Sequence, residues 1–333
     1  MRNESRSNWA KLFVVLLLFL RLLAPCFGQE AQPPAPSGPQ KVVSVLGLEN
    51  VKWNSTGTLA VQDDKLQFKS AKAQAEINTT SIRDVLTAED SQRMLGGTVG
   101  TVTTIAAPYG SGRVISLFRE KIDVLTLEFV DANGGLHGAI FTLPKGQAEP
   151  VKKELLAQGA RSSASSGDSQ LDSASSQPAN QPPPGGAAAP AGEVKLHQKT
   201  PFYSIQVQSP EPGDVKFPPE FRVAVYENLI VQLQRTGKFV DVYRIGDGRA
   251  ATATELLYMR LKVVGFKEGS QKKRDVTTVS GATSIKVRLE ITTRDGALPV
   301  DRDVEGKVRF LGDNLRATFD LSKSVANIVK ETF

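Results

Sequence analysis

The chain has almost no cysteine and histidine. Its 333 residues include one cysteine, Cys26, so an intrachain disulfide is excluded. The two histidines, His137 and His197, are far apart in the sequence, and zinc sites usually draw on several Cys or His residues. We therefore predict no metal, no cofactor, and no catalytic, cofactor-binding or metal-binding residues.

The sequence also lacks the short motifs of common enzyme classes. No Gly-x-Ser-x-Gly elbow occurs, and a Ser–His–Asp triad would have to use His137 or His197. Gly97–Gly100 precedes neither Lys-Ser nor Lys-Thr, so it matches no phosphate-binding loop. Asp301 and Asp303 could bind a hard cation, but we expect them to face water beside an arginine. The chain is predicted not to be an enzyme.

The net positive charge is small and is distributed unevenly along the chain. The net charge is +6; residues 41–160 carry 13 basic and 13 acidic side chains, and residues 193–333 carry 23 basic and 18 acidic ones, an excess of 5. Basic and acidic residues alternate along the predicted strands, which is typical of a solvated face rather than a nucleic-acid footprint. Nucleic acid is therefore not a predicted partner.

Residues 1–28 have the pattern of a signal peptide. A basic start is followed by the apolar run Leu12–Leu20 and by small residues just before Gln29. Two alternatives stay open. A retained membrane anchor would need ~20 apolar residues, and Arg21 interrupts the run. A lipid on Cys26 would need a small residue where a proline stands. We predict an exported protein of the periplasm or cell envelope, with or without a membrane tether.

Composition divides the remaining chain into two domains and two disordered segments. Residues 29–40 are rich in Pro, Ala and Gln, and we predict a disordered tether. Residues 161–192 consist mainly of Ser, Ala, Gly, Gln and Pro, and such a segment cannot bury enough apolar surface to fold. The predicted domains are therefore residues 41–160 and residues 193–333.

The first domain is predicted to be β-rich with one helix at its end. Gly57–Phe68 reads as a hairpin, and the alternating stretch Asp123–Asp131 is followed by the turn Ala132–Gly135 and by a return strand. Gln147–Gln158 is predicted to be a helix that ends at Gly159, with Ala148, Val151 and Leu155 on one face and Lys152, Lys153 and Glu154 facing outward. The predicted strands form a barrel-like sheet with an open end, and we expect the helix to cover that end.

The first domain resembles a pleckstrin-homology-like domain of the bacterial type. The resemblance covers residues 41–160 and rests on the short strands, the segment Gly57–Phe68, the late hairpin and the single C-terminal helix. It implies a strongly bent seven-stranded β-barrel capped by that helix. Some members bind phosphoinositides through a basic loop between the first strands. The corresponding loop here, Gln62–Lys65, is acidic, so this ligand is not expected.

Residues 94–112 are rich in glycine and carry no charge. We interpret them as a flexible hairpin folded against the sheet. The alternative is an apolar loop that touches a membrane or a partner, which would make the chain a membrane-anchored scaffold.

The second domain is predicted to be α+β, an antiparallel sheet with two helices on one face. Pro218-Pro219 starts a helix that Gly237 ends, and Asp320 is expected to cap a second helix. The stretch Thr283–Thr293 alternates best, with aliphatic residues on one face and charged residues on the other. The whole chain therefore belongs to the α+β class.

The second domain resembles a family of uncharacterised bacterial exported proteins, many of them lipoproteins, with a domain of unknown function. The resemblance covers roughly residues 200–332 and rests on the helix 219–236, the segment Thr236–Phe239, three long strands and the terminal helix. It implies no activity and no site residues.

Together these features predict a non-enzymatic exported envelope protein with two binding modules on a flexible linker. The alternative functions are a periplasmic hydrolase or carbohydrate-active enzyme, and the membrane-anchored scaffold. The predicted partner is an unknown protein or another envelope component, with membrane-surface contact left open.

Overall fold

The structure is a computed structural model. It describes residues 38–90, 122–163, 202–270, 281–308 and 313–333. All of these belong to one compact unit, Pro36–Phe333. The predicted signal peptide and the glycine-rich segment 94–112 lie outside the described residues, as do most of the predicted tether and linker. The helices of the described part are too short or too polar to cross a membrane.

The described residues of the first half form seven strands and one α-helix. Their bounds are β1 Gln40–Leu46, β2 Ser55–Gln62, β3 Lys65–Ser70, β4 Gln74–Asn78, β5 Ile82–Asp90, β6 Ile122–Val130, β7 Leu136–Pro144 and α1 Ala148–Ala157. Short 3-10 turns supplement the regular elements, as at Thr79–Ser81.

The described residues of the second half form five strands and two α-helices. Their bounds are β8 Ser204–Val207, α2 Pro219–Thr236, β9 Val242–Arg244, β10 Leu256–Lys267, β11 Thr283–Thr293, β12 Val300–Val308 and α3 Arg316–Thr332. The α+β class predicted from the sequence is confirmed.

The first sheet is antiparallel throughout and has the order β4-β3-β2-β1-β7-β6-β5. Among the described residues its two edges, β4 and β5, are not paired with each other, so backbone hydrogen bonds do not close the expected barrel. Helix α1 packs on this sheet through Ala148, Val151 and Leu155, the three residues predicted to share one face. The beginning of the predicted linker is held by β5, since Ser163 donates to both carboxylate oxygens of Asp84.

The second sheet is mixed, with the order β12-β11-β10-β8-β9. The long strands β10, β11 and β12 are antiparallel, as predicted. The prediction of a wholly antiparallel sheet is wrong for β8, which runs parallel to both β10 and β9. The reason is the connection through α2: a helix that crosses over between two neighbouring strands returns the chain in the same direction.

Two helices cover one face of the second sheet. The aliphatic residues of β11 that were predicted to face inward are fully buried: Ile285, Val287, Leu289 and Ile291. They share one core with residues of α2 and α3. Helix α2 ends at Gly237, which has a positive φ as a left-handed cap requires. Asp320 is not a cap, because α3 begins at Arg316 and the Asp320 carboxylate accepts the backbone N–H of Lys307 in β12 instead.

Helix α2 lies between the two sheets. On one side Phe221, Val225 and Leu229 belong to the core of the second half. On the other side Val223 and Ala224 pack with apolar residues of the first sheet, namely Leu46, Val124 and Ile140. A Cβ atom on Gly138 in β7 would come within 2.5 Å of the Val223 side chain, so only glycine lets the helix approach so closely.

Candidate functional site

A cleft of about 560 Å³ opens where the first sheet meets α2 and β9. That volume lies in the range typical of small-molecule sites. Its walls come from three loops and one helix: the segment after β1, the β6–β7 hairpin, the chain around β9, and α2. The residues that line it are Gly47, Leu48, Glu49, Asn50, Trp53, Asp131, Asn133, His137, Glu227, Ile230, Val231, Gln234, Val242, Arg244, Asp247 and Arg249.

The floor of the cleft is an ion pair between Arg244 and Glu227. Two parallel hydrogen bonds of 2.7 and 2.8 Å join the guanidinium to the carboxylate, and the Glu227 side chain is only 6% exposed. Glu227 also accepts the backbone N–H of Gly138 at 2.8 Å, and Arg244 donates to the carbonyl of Leu136 at 3.1 Å. Burial alone would lower the pKa of Arg244, but the carboxylate of Glu227 outweighs it and raises the pKa. The pair therefore fixes β7, α2 and β9 to one another.

One wall holds a second pair, His137 and Asp131. Nε2 of His137 lies 3.1 Å from the Asp131 carboxylate, and the ring stacks on Phe129. The same carboxylate accepts backbone N–H groups of Asn133 and Gly135 in the hairpin turn. Burial would raise the pKa of Asp131, but these hydrogen bonds prevail and lower it. With Asp131 ionised, Nε2 is the ring nitrogen that donates to it, and Nδ1 is buried without a partner among the described residues.

A third pair, Asp247 and Arg249, stands at the cleft's outer end. The Asp247 side chain is buried and caps its own turn by accepting the backbone N–H of Arg249, whose guanidinium is 62% exposed. The hydrogen bond from Arg249 lowers the pKa of Asp247 despite that burial. The Arg249 guanidinium also lies 6.0 Å from the ring centre of Tyr243.

The rim on the first half comes from the loop between β1 and β2. Trp53 is 39% exposed and meets Phe319 of α3 edge to face. Glu49 is exposed, and its negative charge helps to raise the pKa of Arg244. Gly47 anchors this loop at a positive φ, with its α-carbon so close to the carbonyl of Gly138 that any side chain would collide.

The members of these three pairs are already engaged with one another, and the described lining of the cleft contains no hydroxyl or thiol. Elsewhere in the described part of the chain, no group of three or more His, Cys, Asp and Glu residues could hold a metal ion.

The candidate residues considered in the sequence analysis lie in different parts of the chain. His137 lies in the cleft, whereas His197 and Gly97–Gly100 lie outside the described residues. Asp301 and Asp303 sit on the outer face of β12, where both pair with Arg288 of β11.

Glu227, Arg244 and Trp53 were not predicted as site residues from the sequence. A signal for Glu227 exists, since it lies four residues after Val223 on the face of α2 opposite Phe221 and Val225. Two apolar faces on one helix indicate burial from both sides. The residues around Arg244 in the sequence do not indicate a site. Its partner Glu227 is 17 residues away and becomes a neighbour only in the folded chain.

Comparisons with known protein families and with curated proteins find no match. Among solved structures, the chain is similar to the PelC dodecamer from Paraburkholderia phytofirmans. A point mutant of it matches at a TM-score of 0.31 with 14% identity, covering 42% of this chain and 95% of that one. A second crystal form matches at 0.29 with 14% identity, covering 38% and 86%. Likeness at these TM-scores carries no statement about function.

Proposed function

We propose that the chain is a non-enzymatic binding protein exported to the cell envelope, and that its two modules form one binding unit around the cleft. Export rests on the basic start, the short apolar run and the small residues before Gln29 in the sequence. The linker 161–192 then joins two modules that share a site, rather than two that act on separate targets.

The main support for the proposal is that the buried charged residues of the cleft are already paired with each other. Arg244 and Glu227 hold each other and the backbone of β7, with both side chains largely buried. Groups fixed in this way hold the walls of the cleft rigid, and a rigid site binds a ligand at a lower cost in ordering entropy. The cleft's walls come from both halves, so a ligand would contact residues on either side of the linker.

The hydrolase alternative has one observation in its favour, the His137–Asp131 pair. A carboxylate that orients an imidazole is part of many hydrolytic sites. Here, however, the imidazole is 5% exposed and covered by Phe129. With no hydroxyl or thiol in the described lining, the pair fits a structural role in the hairpin better than proton transfer.

The two resemblances remain part of the proposal. Seven antiparallel strands followed by one packed helix support a pleckstrin-homology-like first half. The Gln62–Lys65 loop, a tight turn with Asp63 and Asp64 at positive φ, supports leaving phosphoinositides out. For the second half, the helix ended by Gly237 and the three long strands support the exported-protein family.

A combined stability and mass-spectrometry assay tests the function. The mature chain is mixed with the small-molecule fraction of an envelope extract, its melting temperature is measured, and the compounds are then analysed. We expect the melting temperature to rise, because a ligand that binds only the native state stabilises it, and we expect the compound to be recovered unchanged. Conversion of a compound that is lost in His137→Asn would support the hydrolase instead. No change in melting temperature would contradict the binding function.

A further inference from the structure

We propose that the edge of β4 that faces away from β3 binds an extended polypeptide segment of a partner protein, which joins the first sheet as an antiparallel strand. The inference goes beyond the proposed function, because it concerns a surface next to the cleft and a partner of a different chemical class. Three separate observations support it: the outward backbone groups of β4, a pocket beside them, and the charge of that pocket.

The other strand edges of the described chain are short or partly covered. Beside β5 runs the chain that follows α1, where the backbone N–H of Arg161 donates to the carbonyl of Ile82. At the edge of β12, the Asp320 carboxylate of α3 accepts the backbone N–H of Lys307. Strand β9 has only three residues. The five-residue strand β4 is therefore the edge best suited to receive another strand.

Alternate residues of β4 point their backbone groups away from β3. The hydrogen bond from the N–H of Thr79 to the carbonyl of Asp64, at the end of the β3–β4 ladder, fixes which residues pair with β3. The residues whose backbone N–H groups face the open side are Gln74, Glu76 and Asn78. These three N–H groups have no hydrogen-bond partner among the described residues. An extended polypeptide matches them, because its carbonyls repeat at the same two-residue spacing.

A pocket of about 320 Å³ lies beside this edge. All five residues of β4 line it, and its other walls come from the loop after β1, the end of β6 and the β6–β7 turn. An added strand would direct every second side chain into the pocket and the others toward solvent, and such pockets give strand addition its specificity. The inward side chains should be aliphatic, because the large apolar residues of the lining are Leu48, Ile77, Phe129 and Val130.

The charge of the pocket favours a basic segment. Its lining includes three carboxylates, Glu49, Glu76 and Asp131, and neither lysine nor arginine. Glu76 is on the exposed face of β4, where Lys65 reaches it from β3. A lysine on the added strand would approach Glu76 from the opposite side and form a favourable cross-strand pair. We therefore expect a segment in which aliphatic and basic residues alternate.

Fluorescence anisotropy of the mature chain with labelled synthetic peptides tests the inference. The probe is a peptide of alternating lysine and valine with blocked ends, which extends past the five residues of β4 by one residue at each end. In antiparallel pairing with the valines inward, the lysine N–H groups point at β4 and the valine N–H groups point at solvent. The two kinds of backbone N–H can therefore be blocked separately.

We expect the unmodified peptide to bind. Methylation of the backbone nitrogens of the two inner lysines should weaken binding at least about tenfold, since two hydrogen bonds are lost. Methylation of two valine nitrogens leaves the same side chains and the same number of methyl groups, so it is the matched control and should leave binding unchanged.

Two substitutions in β4 give an independent readout. Glu76→Pro removes one outward N–H, and proline is tolerated on an edge strand where that N–H faces away from the sheet. Glu76→Ala removes the same side chain but keeps the N–H. We expect Glu76→Pro to bind the peptide at least about fivefold more weakly than Glu76→Ala. Thermal melts confirm that both variants are folded, and the methylated peptides decide the question if Glu76→Pro is not.

Several results would overturn the inference. They are no binding of the unmodified peptide at millimolar concentration, equal binding of all three peptides, and a loss confined to the valine-methylated peptide. Equal binding by folded Glu76→Pro and Glu76→Ala would place the peptide elsewhere and would also overturn it. The proposed function is judged separately, since it stands if envelope compounds raise the melting temperature in the assay above.

Discussion

Arg244 and Glu227 form a largely buried ion pair in the cleft. Such a pair does not stabilise a fold strongly by itself, because removing two charges from water offsets most of their attraction. The importance of this pair lies in its geometry. Each member also binds the backbone of β7, at Leu136 and Gly138, so the pair sets the position of α2 and β9 against the first sheet.

Breaking this pair from one side should be costly. Arg244→Met leaves Glu227 buried without its partner, and we expect a loss of ~3–5 kcal/mol in the free energy of unfolding. The double variant Arg244→Met/Glu227→Leu removes the unpaired charge and should lose less than the sum of the two single variants. Urea titration of all four proteins measures the cycle. Strictly additive losses would mean that the two side chains do not interact.

Asp131 should make the hairpin's contribution to stability depend on pH. Its pKa is lowered in the folded chain, so its stabilising effect is present above the unfolded value of about 4 and is lost as the pH falls through the folded value. Asp131→Asn should therefore destabilise the protein at neutral pH and much less near pH ~3. Urea titrations of both proteins at the two pH values test this. An equal loss at both would show that the carboxylate's charge is not involved.

At the scale of elements, α2 is the helix on which both halves depend. It contributes Phe221 and Leu229 to one core and Val223 and Ala224 to another. The β6–β7 turn meets the chain after β9 backbone to backbone, where a Cβ atom on Gly246 would lie 2.5 Å from the carbonyl of Gly134. At these two places the elements are in direct contact.

The facing of β11 can be tested by two neighbouring substitutions. Leu289 is fully buried in the second core, so Leu289→Ala should leave a cavity and cost ~2–5 kcal/mol. Arg288 is on the opposite, solvated face, where it pairs with Asp301 and Asp303, and Arg288→Ala should cost far less. Denaturant titration compares them. The reverse order would mean that the strand's two faces have been exchanged.

The period of the apolar residues predicted the helices and strands well, but it predicted poorly which elements lie next to one another. Alternation marked β11 and its buried residues because a half-buried strand repeats every two positions. The direction of β8 was missed, since a four-residue strand carries no information about its neighbours. Glu154 was expected to face water with Lys152 and Lys153 but is buried, because a residue three positions from Val151 lies on the same side of α1. The cleft depends on contacts between distant residues and left little local signal.

At the scale of the whole molecule, the first question is where the mature chain begins. We predict export with cleavage just before Gln29, from the small residues at Cys26 and Gly28. N-terminal sequencing of protein recovered from the envelope tests this. An intact Met1 would indicate a retained anchor, and a chain starting at a lipidated Cys26 would indicate a lipoprotein.

The predicted domain bounds 41–160 and 193–333 also concern the whole molecule. If the halves are separated, Val223, Ala224 and Glu227 lose their covering from the first sheet. We therefore expect the second half alone to be less stable than the same segment within the chain, even if it folds independently.

The most direct test of the shared binding unit is to cut the linker. A protease site inserted between Pro184 and Gly185 lies within the segment predicted to be disordered, so cleavage should not disturb either half. After cleavage, size-exclusion chromatography at micromolar concentration shows whether the two pieces still travel together. The account predicts a single peak that contains both halves, and partial separation in Arg244→Met. Two separate peaks from the cleaved parent protein would contradict it.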